Sequence, residues 1–444
     1  MLDDLKDILG NGWPNSVSML AEFLPGFIML SVLGSTEELA AAGMGFMFAN
    51  VTGLSFVIGF GSGAQPLISQ AYGARNFVRC GELLQRQMAI HLMVLIPIVV
   101  VWLNTELVLL TFRQPAHVAQ LTAKFVLWRI PALPFFAIME DFRIYLIAQN
   151  KMRAPMAICV LANGLSVAGF YPLIATFGFV GAPLSMTLGN ALQAILTGFL
   201  AKFAIDHPEA WPRWSARVAL RGWGEILSMA LPSGALMLCE WWGWEMNLFF
   251  AGLLCKGADG CSDLNVFPIL SNTMVIGFMT HYGFSIAACT RVGNALGAGD
   301  AVVAKRTGHL TLWLVGTISG LVAVFVFAVR RSWAQLFTDD EAIVELTGEV
   351  MPLIAAYIFL DALGPGALVS LLRSLGVVML PAVLVFVSFY VVGIPFGLWL
   401  TFGRGDAGWG VSGLWAGLVL GMLTMVVCLL TFLLCFVDWR AAAQ

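Results

Sequence analysis

The sequence is short of charge: only 11% of its 444 residues are Asp, Glu, Lys or Arg, against about 25% in an ordinary soluble domain. A water-soluble surface cannot be built from so few. With a formal net charge of −3 and no basic cluster clear of the apolar runs, the chain also lacks the footprint of a nucleic-acid-binding protein. GxxxxGK[ST], HExxH and GxSxG patterns are absent, so ATP is not expected as the direct driver and no enzyme chemistry is indicated. His91, His117, His207, His281 and His309 show no metal-ligand spacing, and neither metal nor cofactor is expected. No CxxC pair occurs among the eight cysteines. Six of them (Cys80, Cys159, Cys239, Cys289, Cys428 and Cys435) lie in or beside apolar runs, where a thiol packs as a small hydrophobe. Cys255 and Cys261 bracket the polar loop KGADG, and a disulfide there requires an oxidising compartment. The first twelve residues have neither a basic n-region nor a small-residue cleavage site, and read as a polar leader to a first span.

What is present is apolar: 59% of the residues are hydrophobic and the mean hydropathy is +0.88. Runs longer than the roughly 18 to 20 residues that cross a bilayer as a helix fall near 13–34, 39–68, 84–103, 117–138, 155–177 and 181–203. Six more fall near 223–254, 264–290, 308–329, 347–370, 377–400 and 409–437. This predicts an all-α membrane protein of twelve transmembrane helices, with an N-terminal six-helix lobe over 1–205, a cytoplasmic linker over 206–222 and a C-terminal lobe over 223–444. Lysine and arginine fix the orientation, because they accumulate in loops kept on the cytoplasmic side. With both termini inside, sixteen fall on the inner side, Arg143 and Arg373 among them. Five fall outside (Arg113, Lys256, Arg330, Arg331 and Arg404), and Lys124 and Arg129 lie within the fourth span.

The halves repeat. Residues 59–76 align without gaps to 283–300, with identities at Gly59/Gly283, Phe60/Phe284, Ala64/Ala288, Ala71/Ala295, Gly73/Gly297 and Ala74/Ala298. Gly178, Gly181 and Gly189 pair likewise with Gly410, Gly413 and Gly421. Six spans per copy return the chain to its starting side, so the copies share one orientation. Such parallel repeats enclose a central cavity that opens to either side by rocking.

An ionisable group inside a bilayer costs about 2.5 to 3.5 kcal/mol on insertion scales, so each is a candidate site. Glu22 lies in the first span, Glu240 and Glu245 in the seventh, and Asp361 in the tenth, just before Gly364-Pro365-Gly366. Five residues place Glu240 and Glu245 about 140° apart on a regular helix, so they share a face only if Gly243 permits a kink. One acid then faces the cavity, and Glu245 has an interhelical or interfacial role as its plainer reading. Trp241, Trp242 and Trp244 could wall a site for an organic cation or sit as interfacial aromatics. The Gly-Pro-Gly suggests a broken helix lining a cavity, with capping or packing as the alternative for Asp361. Asn163, in the fifth span, could meet Glu22, a substrate or a neighbouring helix. Gln70 and Asn294 are equivalent in the repeat and close the inner mouth or end a helix, Gly73 and Gly297 suiting left-handed caps.

These residues resemble the multidrug and toxic compound extrusion (MATE) family, its eukaryotic branch in particular. The closest stretches are Leu238-Cys239-Glu240-Trp241-Trp242-Gly243-Trp244-Glu245, Gly283 to Ala288, Arg291 to Gly299, Gln70 to Ala74, and Ala148-Gln149-Asn150 with Pro155. The resemblance covers essentially the whole chain. It implies a monomeric antiporter that exports small organic, often cationic, solutes across a lipid bilayer, in the plasma membrane or an organellar one. Exchange is for protons, with sodium the alternative coupling ion. Glu240 and Glu245 fall on that branch's paired acids, Asn163 on its fifth-helix asparagine, and Asp361 approximately on a tenth-helix acid. Asn272 stands where some animal members carry an eighth-helix acid, and Glu22 where eukaryotic members tend to be neutral. The competing function is a lipid or lipid-linked flippase of the same superfamily, which needs a wider cationic groove than Lys124 and Arg129 supply.

Overall fold

The structure, a computed structural model, describes residues 2–33, 36–254, 262–403 and 408–443. The Cys255–Cys261 candidate disulfide lies outside the described residues. Among these residues the chain is helical without strands, and its long helical segments follow the expected runs. They are α1 (Leu2–Val32), α2 (36–73), α3 (Phe77–Leu103), α4 (116–148), α5 (Arg153–Phe177) and α6 (Gly181–Phe203), then α7 (Trp223–Gly252), α8 (Ser262–Gly297), α9 (Ala301–Ala328), α10 (341–374), α11 (379–402) and α12 (Gly410–Cys435).

By length and apolarity alone, seven described helices could cross a membrane, or eight when the two arms of α4, bent by 52° at residues 128–131, count as one span. That tally takes 153–203 as a single helix of 51 residues, which at about 1.5 Å per residue would be more than twice the bilayer core of about 30 Å. Gly178, at φ 63°, turns the chain back instead. Ser166 and Ser185 then donate to each other's backbone carbonyls at 3.1 and 2.6 Å, so α5 and α6 form an antiparallel pair. α1, α7 and α8, at 31, 30 and 36 residues, are also long enough to span and carry the charged groups described below.

The packing is inverted relative to a soluble protein. On α3, Leu92, Ile96, Val100 and Leu103 are exposed at helical spacing, while Gln85, Gln87 and His91 are buried. An apolar stripe facing outward with polar groups inward is stable only against lipid.

Contacts divide the chain into two compact units. One comprises Val17–Leu238 with Gly293–Gly299, the other Met1–Ser16, Cys239–Val292 and Asp300–Gln444. The first is built around Met29, Phe48, Trp102, Phe125, Phe136, Phe170 and Phe179. Its 206–222 stretch is packed down rather than loose: Tyr145 donates to the Ala210 carbonyl at 2.7 Å, and Gln85 accepts from the Ser215 amide at 2.8 Å. In the second unit, Val315 of α9 packs with Ala362 and Ala367 of α10 in a core cluster.

Several local expectations are corrected. The polar leader is not a separate segment but the first turns of α1. Residues 362–368 do not break α10; they pass through it as a π-helical segment, which accommodates the missing N–H of Pro365 without ending the helix. Gly243 makes no break in α7, and its bare Cα instead receives the ring of Phe389. The left-handed positions fall at Arg75 (φ 55°) and Gly299 (φ 77°), not at Gly73 and Gly297.

Candidate functional site

In the second unit, α7, α8 and α10 bring five polar side chains together: Glu240, His281, Tyr357, Asp361 and Arg373. Glu240 is 3% exposed and Asp361 1%, and their carboxyl groups lie within hydrogen-bonding reach of each other. A bond between two carboxyls needs a proton on one of them, because an ionised carboxylate only accepts. His281 Nε2 lies 3.5 Å from Asp361 Oδ2, and its Nδ1 is 3.1 Å from the Gly277 carbonyl. A carbonyl cannot donate, so Nδ1 carries a hydrogen, and Nε2 stands buried beside the Asp361 carboxyl without a hydrogen-bond partner among the described residues. Glu240, Asp361 and His281 are therefore a continuous row of proton-accepting groups. Glu240 Oε1 and Asp361 Oδ1 are buried and receive no hydrogen bond from an N–H or hydroxyl donor among the described residues.

Around this row, Tyr357 is fully buried beside both acids and accepts from Trp244 Nε1 at 2.6 Å. Arg373 is buried and close enough to Glu240 to act on its charge. The three tryptophans of α7 consequently do not form one wall: Trp244 is tied to Tyr357 and Trp242 is exposed, while Trp241 is half-buried with its Nε1 unpartnered among the described residues. Glu245 is half-buried on the same helix, and Asn272 is half-buried on α8. Neither joins the Glu240 row.

The first unit holds a second buried polar group. Asn163 donates from Nδ2 to the Cys159 carbonyl at 2.9 Å, and Gln193 Nε2 donates to Glu22 Oε1 at 3.5 Å. Asn163 reaches Glu22 through Cys159, whose thiol is 3.9 Å from Glu22 Oε1. Arg143 stands near Glu22 and binds Glu140 through two hydrogen bonds of 2.7 Å. His91 Nδ1 lies 2.8 Å from Asp141 Oδ1, both about 1% exposed. Arg143 and Arg373, assigned to inner loops from the sequence, are buried in helices.

The repeat is visible in local geometry. Gly73 packs on the Asn294 carbonyl and Gly297 on the Gln70 carbonyl, a reciprocal contact between equivalent residues that only a missing Cβ permits. Asn76 and Asp300 then cap the following helices in the same way, accepting from the amides of Arg79 and Val303 at 3.2 and 2.9 Å. Gly178 and Gly410 both have positive φ. The Asn294 side-chain amide is buried and unpartnered among the described residues.

With this geometry in place, comparison with known proteins is decisive. The MatE family model matches residues 14–173 and again 232–399. The chain belongs to the MatE family. Over its full length it is 31% identical to the human multidrug and toxin extrusion protein 1, covering 76% of that protein. It is 30% identical to an uncharacterized transporter, C4B3.13, of Schizosaccharomyces pombe, with 93% of this chain and 78% of that one covered. The crystal structure of the eukaryotic MATE transporter AtDTX14 superposes with a TM-score of 0.92 at 25% identity, over 100% of this chain and 98% of the other. A MatE protein is a transporter and not an enzyme, and this one is a multi-pass integral membrane protein. The sequence pointed to Glu240 and Asp361 but missed His281, Tyr357 and Arg373 beside them, and Glu140, Asp141, Arg143, His91, Cys159 and Gln193 in the first unit. A detectable signal existed for one pair: Glu140 and Arg143 have the i, i+3 spacing of a helical ion pair.

Proposed function

We propose that the protein is a proton-driven antiporter that exports organic cations by alternating access between the six-helix lobes 1–205 and 223–444. The observation that carries this reading is the buried Glu240–Asp361 carboxyl pair. In the ionised form it attracts a cation, and in the protonated form it has no charge to offer, so one site serves cargo and proton in turn. The names of the relatives, as extrusion proteins for drugs and toxins, support a broad range of small organic substrates. The surplus of lysine and arginine on one side of the spans supports cytoplasmic termini in a plasma or organellar membrane, and the protein is proposed to act as a monomer. Glu245, Asn272 and Trp241 are assigned to the substrate path, and Glu22 with Asn163 to the polar site of the first unit. Gln70 and Asn294 are assigned to the inner gate.

The test is efflux from vesicles containing the purified protein, with organic cations, organic anions and fluorescent lipids as cargo, under imposed proton or sodium gradients. Cation efflux that follows the proton gradient is expected. Glu240→Gln should insert normally and lower that efflux at least tenfold, with Glu245→Gln less affected. Gradient-independent lipid movement, or wild-type efflux by Glu240→Gln, would overturn the proposal.

A further inference from the structure

Outside the transport site, the beginning of α9 and the end of the chain enclose a cavity of about 670 Å³. The short helix Trp439–Ala442 folds back on α9, where the Trp439 indole, 6% exposed, lies over Gly308; a Cβ there would come within 2.9 Å of the ring. Lys305, Arg306, His309 and Arg440 line the cavity, with Trp313 and Trp439 as its aromatic surfaces.

The acids near these cations are already engaged. Asp4 pairs with Arg306 at 2.5 Å, and Asp438 accepts from the Arg440 and Ala441 amides at 2.9 and 3.3 Å as the cap of the last helix. Lys305, His309 and the Arg440 guanidinium have no acidic partner among the described residues. Asp438 also lines the cavity and keeps its charge, but Lys305, Arg306 and Arg440 outnumber it there, so the cavity gathers an excess of positive charge that suits an anion.

Its position says which anion. Trp313 is 77% exposed, and below it on the same face of α9 Leu321, Val324 and Phe325 are exposed in turn. The cavity thus stands at the head of an outward apolar stripe on a membrane helix, with tryptophan at the level where interfacial aromatics sit. A soluble anion would use only the basic end. A molecule with a phosphate head and an acyl tail uses both. We propose that this cleft is a binding site for an anionic phospholipid, its phosphate held by Lys305, His309 and Arg440 and its acyl chain lying along the α9 stripe. Basic pockets at the cytoplasmic edge of membrane helices take such head groups, and the lysine and arginine bias argues for that leaflet.

Native mass spectrometry of the full-length protein in a neutral detergent, titrated with phosphatidylglycerol or phosphatidylcholine, tests the site. Wild type should retain phosphatidylglycerol in preference to phosphatidylcholine, and the double variant Lys305→Gln/Arg440→Gln should lose about tenfold of that preference. Both side chains are exposed, and the charge-keeping double variant Lys305→Arg/Arg440→Lys should retain the lipid, separating charge from folding. Glycerol 3-phosphate at millimolar concentration should not displace it. Equal retention of the two lipids by wild type, an unchanged preference in the glutamine variant, loss of the lipid by the charge-keeping variant, or displacement by glycerol 3-phosphate would each overturn the proposal.

Discussion

Among single residues, the buried charges divide into those with a fixed partner and those without. Arg143 and Glu140 meet through two hydrogen bonds and neutralise each other's charge, which is why they tolerate burial at 6% and 2% exposure. Removing one member of such a pair strands the other, at about 3 to 5 kcal/mol. Glu140→Gln is expected at the low end, about 3 kcal/mol, because Glu22 remains close to the guanidinium. Thermal melting in detergent should show a drop of several degrees, and an unchanged melting temperature would mean that the pair contributes nothing. The same self-neutralisation explains why the sequence misled here. The run Glu140-Asp141-Phe142-Arg143 has the composition of a loop and so marks an end to the fourth span near 138, whereas the helix continues to Ala148. Glu240 was legible because it stands alone in an apolar stretch. His281 was not, because it has no spacing partner in the sequence and its approach to Asp361 depends on how α8 and α10 pack.

For whole elements, the ends of α2 and α8 carry a prediction about backbone contact. A methyl group on Gly73 would run into the Asn294 carbonyl, and one on Gly297 into the Gln70 carbonyl; neither obstacle is a side chain that can rotate away. Gly73→Ala should therefore cost about 1 to 3 kcal/mol, as overpacking does, while Arg75→Gly two residues later should be neutral or stabilising, since Arg75 is held at φ 55° where a side chain is penalised by about 1 to 2 kcal/mol. Melting curves that rank the two variants the other way would contradict this account. The repeat made both glycines stand out in the sequence, but their purpose, close approach rather than a left-handed cap, needed coordinates. The start of α1 carries a pH prediction. Burial pushes the Asp4 carboxyl up, but the hydrogen bond from Arg291 and the charge of Arg306 outweigh it and hold it below its ordinary value of 3.8. A carboxyl depressed on folding stabilises above its unfolded pKa and loses that contribution as pH falls through the folded one. Docking of the first turns should thus be unaffected near neutrality and weaken only below about pH 4. Hydrogen exchange at residues 4–10 reports it, and Asp4→Asn should show the weakened state at every pH.

At the scale of the whole molecule, the proposed function has one buried site shared by two cations in turn. The span count, the parallel repeat and the family were legible in the sequence because each rests on periodic, redundant signals: twelve apolar runs, glycines recurring at fixed offsets, and a charge bias at their ends. The site's partners were less so, being set by which helix faces meet. For exchange to be obligatory, proton and cargo must exclude each other, and this has a thermodynamic signature independent of transport rate. If binding an organic cation expels one proton from the Glu240–Asp361 pair, the dissociation constant must rise tenfold for each unit of falling pH wherever the free protein holds that proton, and by reciprocity bound cation must release the proton into solution. Cation binding to the solubilised protein, measured calorimetrically in buffers of differing ionisation heat, should give a slope of log Kd against pH near −1 with about one proton released. In Glu240→Gln the slope should be near zero and affinity weak throughout. A wild-type slope of zero would leave the carboxyl pair without a coupling role even if the protein exports cations.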